Sequence, residues 1–489
     1  MRNVVRIGVA VASVAAVTMV GTPAGAAAKT GVATVEDTTR VQFVAAAKQT
    51  NRVVLTRSGN TITIDDRVAI KAGKGCKAVK GDKTKVRCTP KKKPTWLSVR
   101  TKDKNDTIVN KTDLGITVRA GSGNNRITGG PRGDNLYADD GNDVVFAGGG
   151  NDYVYAGFGR NEIHGGAGDD DLRGGENTDY LYGDAGQDRL SPGGGNDVAR
   201  GGADSDLFDE GAGKDTLYGD GGGDSFVQNK SYGRGSDTIR GGADSDSVAY
   251  YRTKRIVADA DGAKGDDGEA GEKDSIGTDV EALEGGSGND WLAGNALANS
   301  INGGEGNDTL VGRAGNDQLT GGDGNDKLYG DAGDDELSGD YGSDLMAGGS
   351  GKDLAAYYYR LVRVVLDADG VVGDDGSAGE RDTIRTDVED LAGGWGDDLL
   401  IGTSGPNLIR GGAGADVING GGGNDELHSD DGSRTGVDKL YGEAGDDVLH
   451  GDGYETYSRY LLDGGADYDR CVPGYRGTGE LVGCEQTGE

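Results

Sequence analysis

From Ala120 to Val227 one nine-residue phrase repeats twelve times without an inserted residue. Gly165–Arg173, GGAGDDDLR, states it almost in full: glycine at positions one, two and four, aspartate at six, an apolar residue at eight. A unit with one dependable apolar residue cannot bury it alone, so successive units must stack and share a core. Position eight carries Ile127, Leu136, Val145, Val154, Ile163, Leu172, Leu181, Leu190, Ala199, Phe208, Leu217 and Phe226, flanked mainly by polar or outward-tolerant residues. Each copy therefore reads as a three-residue strand with one inward side chain. The phrase returns in a pair of units from Tyr232 to Ala249, in eight from Gly285 to Ala356 and in a looser set from Gly393 to Val472.

Position four needs a backbone that bends back on itself. Where glycine is absent, Asn177, Asp204, Asp244 and Asp467 stand there, residue types that tolerate left-handed φ/ψ. Arg132 and Leu297 break the rule, and their units are expected to turn differently and to bind metal poorly.

Position six offers oxygen in every unit. The candidate metal ligands are Asp134, Asp143, Asp152, Asp170, Asp179, Asp188, Asp197, Asp206, Asp215 and Asp224 in the first run, then Asp237 and Asp246. Asp290, Asp308, Asp317, Asp326, Asp335, Asp344 and Asp353 follow in the second run, and Asp398, Asp416, Asp425, Asp438 and Asp447 in the third. Asparagine replaces them at 125, 161, 299 and 407.

In spacing and residue type the phrase resembles the GGxGxDxUx nonapeptide of the RTX, or haemolysin-type, calcium-binding repeat family. The resemblance implies an all-β, right-handed parallel β-roll or β-helix solenoid with two nonapeptides per turn. Asp152 would then lie one rung below Asp170 and Asp143 below Asn161, giving two ladders on opposite edges. Rungs about 4.8 Å apart bring bare carboxylates close enough to repel by about 1 kcal/mol in water and roughly 3 to 4 at an effective dielectric of 20. Calcium, which takes six to eight oxygen ligands, would reverse that sign, with backbone carbonyls of the glycine turns completing its shell. A lone aspartate could merely close an Asx-turn, but a ladder of them needs a cation.

The formal charge of −32 agrees with this. About 17 divalent ions would cancel the charge left after leader cleavage, so roughly 15–20 calcium ions are expected as cofactor. With 34% hydrophobic residues the metal-free core would be thin, and such chains often stay unfolded without ligand.

Residues 1–28, with Arg2, Arg6, an apolar stretch from Ile7 to Val20 and an Ala-rich end, read as a cleaved secretory signal. No later segment is apolar enough to cross a bilayer as a helix, so a secreted, extracellular protein is expected. That compartment permits disulfides, and the four cysteines suggest Cys76 with Cys88 and Cys471 with Cys484. Zinc is the alternative, but no CxxC pair exists. His164, His428 and His450 each stand at position nine, where a solvated outward side chain is expected.

Residues 29–104 differ in kind, with 19 Lys and Arg against 6 Asp and Glu. Val41–Val44, Arg52–Arg57, Thr61–Ile64 and Val68–Ile70 alternate like strands, with a hairpin turn at Ser58-Gly59-Asn60. A basic β cap over the open solenoid end is expected. The alternative is that Lys74, Lys77, Lys80, Lys83, Lys85 and Lys91–Lys93 grip an anionic cell-envelope polymer or extracellular polysaccharide. Nucleic acid is not an expected partner of an acidic, secreted chain.

Beyond the cap the chain divides into a first roll (105–249), an acidic interruption (250–284), a second roll (285–357), a second interruption (358–392), a third roll (393–472) and a disulfide-closed C-terminal cap (473–489). The interruptions are copies: residues 256–286 align with 364–394 at an offset of 108, or twelve nonapeptides. Asp259, Asp261, Asp266, Asp267, Glu272 and Asp274 match Asp367, Asp369, Asp374, Asp375, Glu380 and Asp382. The spacing is not that of an EF-hand loop, since Ala263 and Val371 stand at the fifth position. A solvated projecting loop is expected, with an additional calcium site as the alternative.

No HExxH, GxSxG or long amphipathic helical segment accompanies the repeats. Aromatic residues at position nine, Tyr137, Phe146, Tyr155, Tyr182, Tyr218, Tyr329 and Tyr441, together with Tyr357–Tyr359, are expected to pack on the strand surface. The sequence points to a calcium-binding structural or adhesive extracellular module without enzymatic activity. A glycan-modifying enzyme or glycan-binding module using the solenoid face is the alternative. Family members commonly leave the cell by a one-step channel that reads an uncleaved C-terminal signal; the N-terminal leader here departs from that pattern.

Overall fold

The computed structural model describes residues 30–229, 235–429, 436–451, 459–474 and 478–487. The leader expected at 1–28 lies outside them, as does the start of the pair of units at Tyr232. Among the described residues every regular element is a strand and none is a helix.

The repeat length sets the architecture. Tyr153–Gly157 pairs in parallel with Asp171–Gly175, and that strand with Arg189–Gly195, so Val154, Leu172 and Leu190 stack in register eighteen residues apart. The intervening units form the opposite face, where Val145, Ile163 and Leu181 stack in the same way. Two nonapeptides therefore make one turn of a solenoid. All twelve position-eight residues of the first run are fully buried between the two faces. Because strands alternate sides with period two, their neighbours at seven and nine face outward.

One face is a single sheet of 24 strands; the opposite face is divided into sheets of 13, seven and seven. The N-terminal region feeds both faces directly. Arg40–Val44 pairs in parallel with Trp96–Arg100, which continues into Gly115–Arg119. Arg52–Ser58 pairs with Thr107–Asn110 and also turns back on Thr61–Asp65 as an antiparallel hairpin, with Gly59 at φ 58°. The parallel ladder thus runs without a break through residue 104, and a single buried cluster spans the region and the repeats. Of the strand expected at Val68–Ile70 only Ile70 is extended, in Ile70–Ala72.

Both expected disulfides are present, and no cysteine is free. Zinc held by thiolates is thereby ruled out. Cys76–Cys88 ties two antiparallel neighbours. Cys471–Cys484 fixes the terminal segment, whose strands Thr478–Val482 and Gln486–Thr487 add one further rung to each face.

The interruptions are more ordered than projecting loops. One face passes straight through them, with Val248, Leu283 and Ile301 in register. On the other face Ser275–Ile276 closes the preceding sheet against Thr238–Ala243, and Ile256–Asp259 opens the next against Trp291–Ala293. The seam between them is joined by one buried carboxylate: Asp267 accepts the Asp259 N–H at 2.6 Å through Oδ1 and the Ile276 N–H at 2.9 Å through Oδ2. Asp375 does the same for Asp367 and Ile384, at 2.6 and 2.9 Å. The loop is tied down because its acidic side chains replace the ladder hydrogen bonds that the extra strand interrupts.

Each half-turn depends on one inward side chain, so truncating it should be costly. Leu328→Ala is expected to destabilise the calcium-loaded protein by about 2–5 kcal/mol, whereas exposed Lys327→Ala should change stability by less than about 0.5 kcal/mol. Denaturant midpoints of the two variants check this, and equal shifts would contradict the inward assignment.

Candidate metal centre

The turn between strands places the position-six side chain under the solenoid edge, where it is buried in every unit named above. Its first oxygen serves the backbone. The Asp152 N–H donates to Asp170 Oδ1 at 2.7 Å, Asp170 to Asp188 at 2.8 Å and Asp188 to Asp206 at 2.8 Å. On the opposite edge the series runs from Asp143 through Asn161, Asp179 and Asp197 at 3.0, 2.8 and 2.7 Å. Each carboxylate thus caps the rung before it. The two ladders expected from the family geometry are present, and half of their negative charge already faces an N–H donor.

The second oxygen is different. Oδ2 of Asp143, Asp152, Asp170, Asp179, Asp188, Asp197, Asp206, Asp215, Asp224 and Asp246 is buried without a hydrogen-bond partner. So is that of Asp308, Asp317, Asp326, Asp335, Asp344, Asp353, Asp416, Asp425 and Asp447. A buried anionic oxygen left unpaired is strongly unfavourable. What faces it is more oxygen: a Cβ placed on Gly165 would lie 2.4 Å from Asp170 Oδ2 and 2.8 Å from the Gly183 carbonyl, and one on Gly183 2.3 Å from Asp188 Oδ2 and 2.5 Å from the Gly201 carbonyl. Position-one glycine keeps that cradle of carboxylate and carbonyl open. Such a donor set suits a hard divalent cation of the calcium type.

Where a run begins, the cradle is closed by the protein itself. Asp134, Asp290 and Asp398 receive the position-two N–H of their own turn on Oδ2, from Gly130, Gly286 and Gly394 at 2.7, 3.0 and 2.8 Å. The Leu297 unit shares this turn, with the Asn295 N–H on Asn299 Oδ1 at 2.8 Å. At position four, Asp204, Asp244 and Asp467 are left-handed as expected, at φ 70°, 75° and 85°. Asn177 is not, because its whole turn departs from the pattern: Gly175 before it also lacks the positive φ that Gly166 shows.

The ladders also contain residues that counting nonapeptides missed. Asp274 and Asp382 accept the N–H of Asp237 and Asp344 at 2.9 Å each, and Glu281, Glu389 and Glu485 accept those of Asp246, Asp353 and Asp469. Asp106 and Asp469 share the unpaired Oδ2. The signal was available as Asp-x-apolar, in Asp106-Thr-Ile, Asp274-Ser-Ile and Asp382-Thr-Ile. A second, shallower ladder runs the other way through position five: Asn142 donates its N–H to Asn124 Oδ1 at 3.0 Å, and Arg160 to Asn142 Oδ1 at 2.9 Å.

In the interruptions, carboxylate oxygens of Asp259, Asp261 and Asp266, and of Asp367, Asp369 and Asp374, gather within 4.8 Å of one another. Glu272 and Glu380 instead pair with the buried Arg252 and Arg360. The histidines are not isolated solvated side chains. His164 stacks between Phe146 and Tyr182 at 4.8 and 4.6 Å, and His428 on His450 at 4.3 Å beside Glu426, because position nine falls in register from rung to rung.

A parallel solenoid whose turns present buried, unpaired carboxylate oxygens to backbone carbonyls defines a calcium-binding repeat protein. The model of the RTX calcium-binding nonapeptide repeat matches residues 119–226, 233–249, 284–355, 392–427 and 434–453, just over half of the chain. The chain belongs to that family. No curated protein matches it.

Without cation, burial pushes Asp152 and Asp206 up to about 8, Asp188 to about 7 and Asp170 to about 6, with neighbouring carboxylates adding at all four. Unfolded carboxyls titrate near about 3.9. The folded metal-free state therefore holds more protons than the unfolded chain. Its stability is fullest below that value and is lost as pH rises through about 6 to 8. Calcium-depleted protein should thus gain β structure on acidification from pH 8 to pH 5, and calcium-saturated protein should not; circular dichroism at the two pH values measures it.

Proposed function

We propose that this protein is a secreted module that folds around stacked calcium ions and serves a structural or adhesive role outside the cell, with no catalysis of its own. The observation that carries the proposal is the row of buried, unpaired Oδ2 atoms facing carbonyl oxygens one rung away. In this reading the position-six aspartates and the position-one carbonyls are the ligands. The ions remove the repulsion that opposes the empty fold. Stabilisation then follows the ligand concentration as RT ln(1 + [Ca]/Kd) at each independent site, and extracellular calcium keeps the solenoid closed. Two disulfides fit an oxidising compartment, and no helix among the described residues is long and apolar enough to cross a membrane. The basic N-terminal region acts chiefly as the cap, since its strands form the first rungs of both faces.

Excess chelator at pH 7.5 should abolish most of the β signal, and added calcium should restore it; a spectrum indifferent to chelator would falsify the reading. Ligand quality gives a finer test. Asp170→Ala and Asp188→Ala should each lower calcium stoichiometry or cooperativity, while Asn299→Ala, whose oxygen is already capped, should do so less. Calorimetric titration of the three variants decides it, and equal losses would reject the ligand assignment.

A further inference from the structure

Beside the second interruption lies a cavity of about 470 Å³ whose wall combines Tyr341, Tyr359 and Trp395 with Ser338, Asp340 and Arg360. The three aromatic residues are 63%, 71% and 65% exposed, although the chain buries most of its other large apolar side chains. Arg360 is the reverse, a cation only 7% exposed. Its Nη1 pairs with Glu380 Oε1 at 3.0 Å, and its guanidinium lies 4.5 Å from the Tyr341 ring. Its Nη2 is buried with no hydrogen-bond partner.

In the first interruption the same nitrogen has a partner. Arg252, the matching residue, bonds Glu272 through Nη1 and both oxygens of Glu210 through Nη2, at 3.1 Å each. Two rungs below the second interruption, in register with the Glu210 rung, stands Gly321. The second copy therefore lacks the carboxylate that holds Nη2 in the first. It also carries Trp395 where the first has Ser287; the two residues make the same backbone hydrogen bond, to Arg360 O and Arg252 O, at 2.7 Å. The two copies thus differ in an internal acceptor and in an exposed indole at the same place.

We propose that this cavity binds a neutral pyranose unit of a glycan. Sugar rings present an apolar C–H face that lies against aromatic side chains, and an edge of hydroxyls that both accept and donate. Trp395, Tyr341 and Tyr359 supply the platform, and Asp340 accepts from a hydroxyl. The charge balance selects the class. Glu380 neutralises Arg360, which leaves Asp340 as the uncompensated charge in the wall, so a uronate would meet net repulsion where a neutral ring meets none. This deepens the adhesive reading above and rests on it only for biological meaning.

The test uses calcium-loaded full-length protein titrated calorimetrically with cello-, laminari-, manno- and malto-oligosaccharides and, as the acidic arm, oligogalacturonate. At least one neutral series should bind saturably. Trp395→Ala, an exposed change that leaves the calcium-dependent circular dichroism intact, should weaken that binding about tenfold or more. Tyr341→Ala should weaken it too, while Tyr155→Ala, on a strand face far along the chain, should not. No binding of any neutral series, binding of oligogalacturonate alone, or losses equal for Trp395→Ala and Tyr155→Ala would each overturn the proposal. Sugar binding without attachment of the protein to cells would reject the adhesive role and leave the site standing; attachment without sugar binding would reject the site alone.

Discussion

One buried carboxylate per nine residues governs this molecule, and its two oxygens have opposite obligations. Oδ1 accepts the N–H of the preceding rung and so converts a glycine-rich turn into a fixed link between strands. Oδ2 is driven out of water by the same geometry with nothing from the protein to meet it. Replacing aspartate by asparagine removes the charge and keeps an accepting oxygen: Oδ1 of Asn125 and Asn161 takes the N–H of Asp106 and Asp143 in the rung before, whereas Oδ1 of Asn299 and Asn407 takes the N–H of Asn295 and Thr403 in its own turn. The hydrogen-bonding role belongs to the fold, and the charged role belongs to the cation.

The interruptions obey the same rule by other means. An added strand breaks the ladder on one face, which would leave backbone donors unpaired inside the protein, a costly state. Asp267 and Asp375 fill the gap with both carboxylate oxygens, and Asp274 and Asp382 carry the edge ladder across. Residues that look in sequence like calcium-loop ligands are therefore partly hydrogen-bonding splices.

The periodicity of position eight and the aspartates of position six made a stack of repeats legible in the sequence, and the resemblance to the calcium-binding nonapeptide family implied its two faces and ladders. Less legible was the division of labour within one side chain, because sequence shows a carboxylate but not which oxygen is already bonded. The capped starts at Asp134, Asp290 and Asp398 carry the same residue as the open sites and differ only in a turn N–H. Asp469 stands at position six of Gly464–Val472, in phase with the candidates before it. The aromatic cavity was hidden for another reason: Tyr341 and Trp395 both stand at position three, six nonapeptides apart, but Tyr359 lies in the interruption outside the period, and the sequence does not show that the three meet.

Each interruption begins and ends on the same face and hands both ladders on in their original register. From Val248 to Ala355 the uninterrupted sheet advances through Leu283, Ile301, Leu319 and Leu337, five rungs in all, before an equivalent interruption begins. At about 4.8 Å per rung, one such block is about 24 Å long. A gene encoding this chain can gain or lose whole blocks while keeping the backbone ladder in register, so the reach of the protein changes in fixed increments, and each new block arrives with an interruption free to diverge.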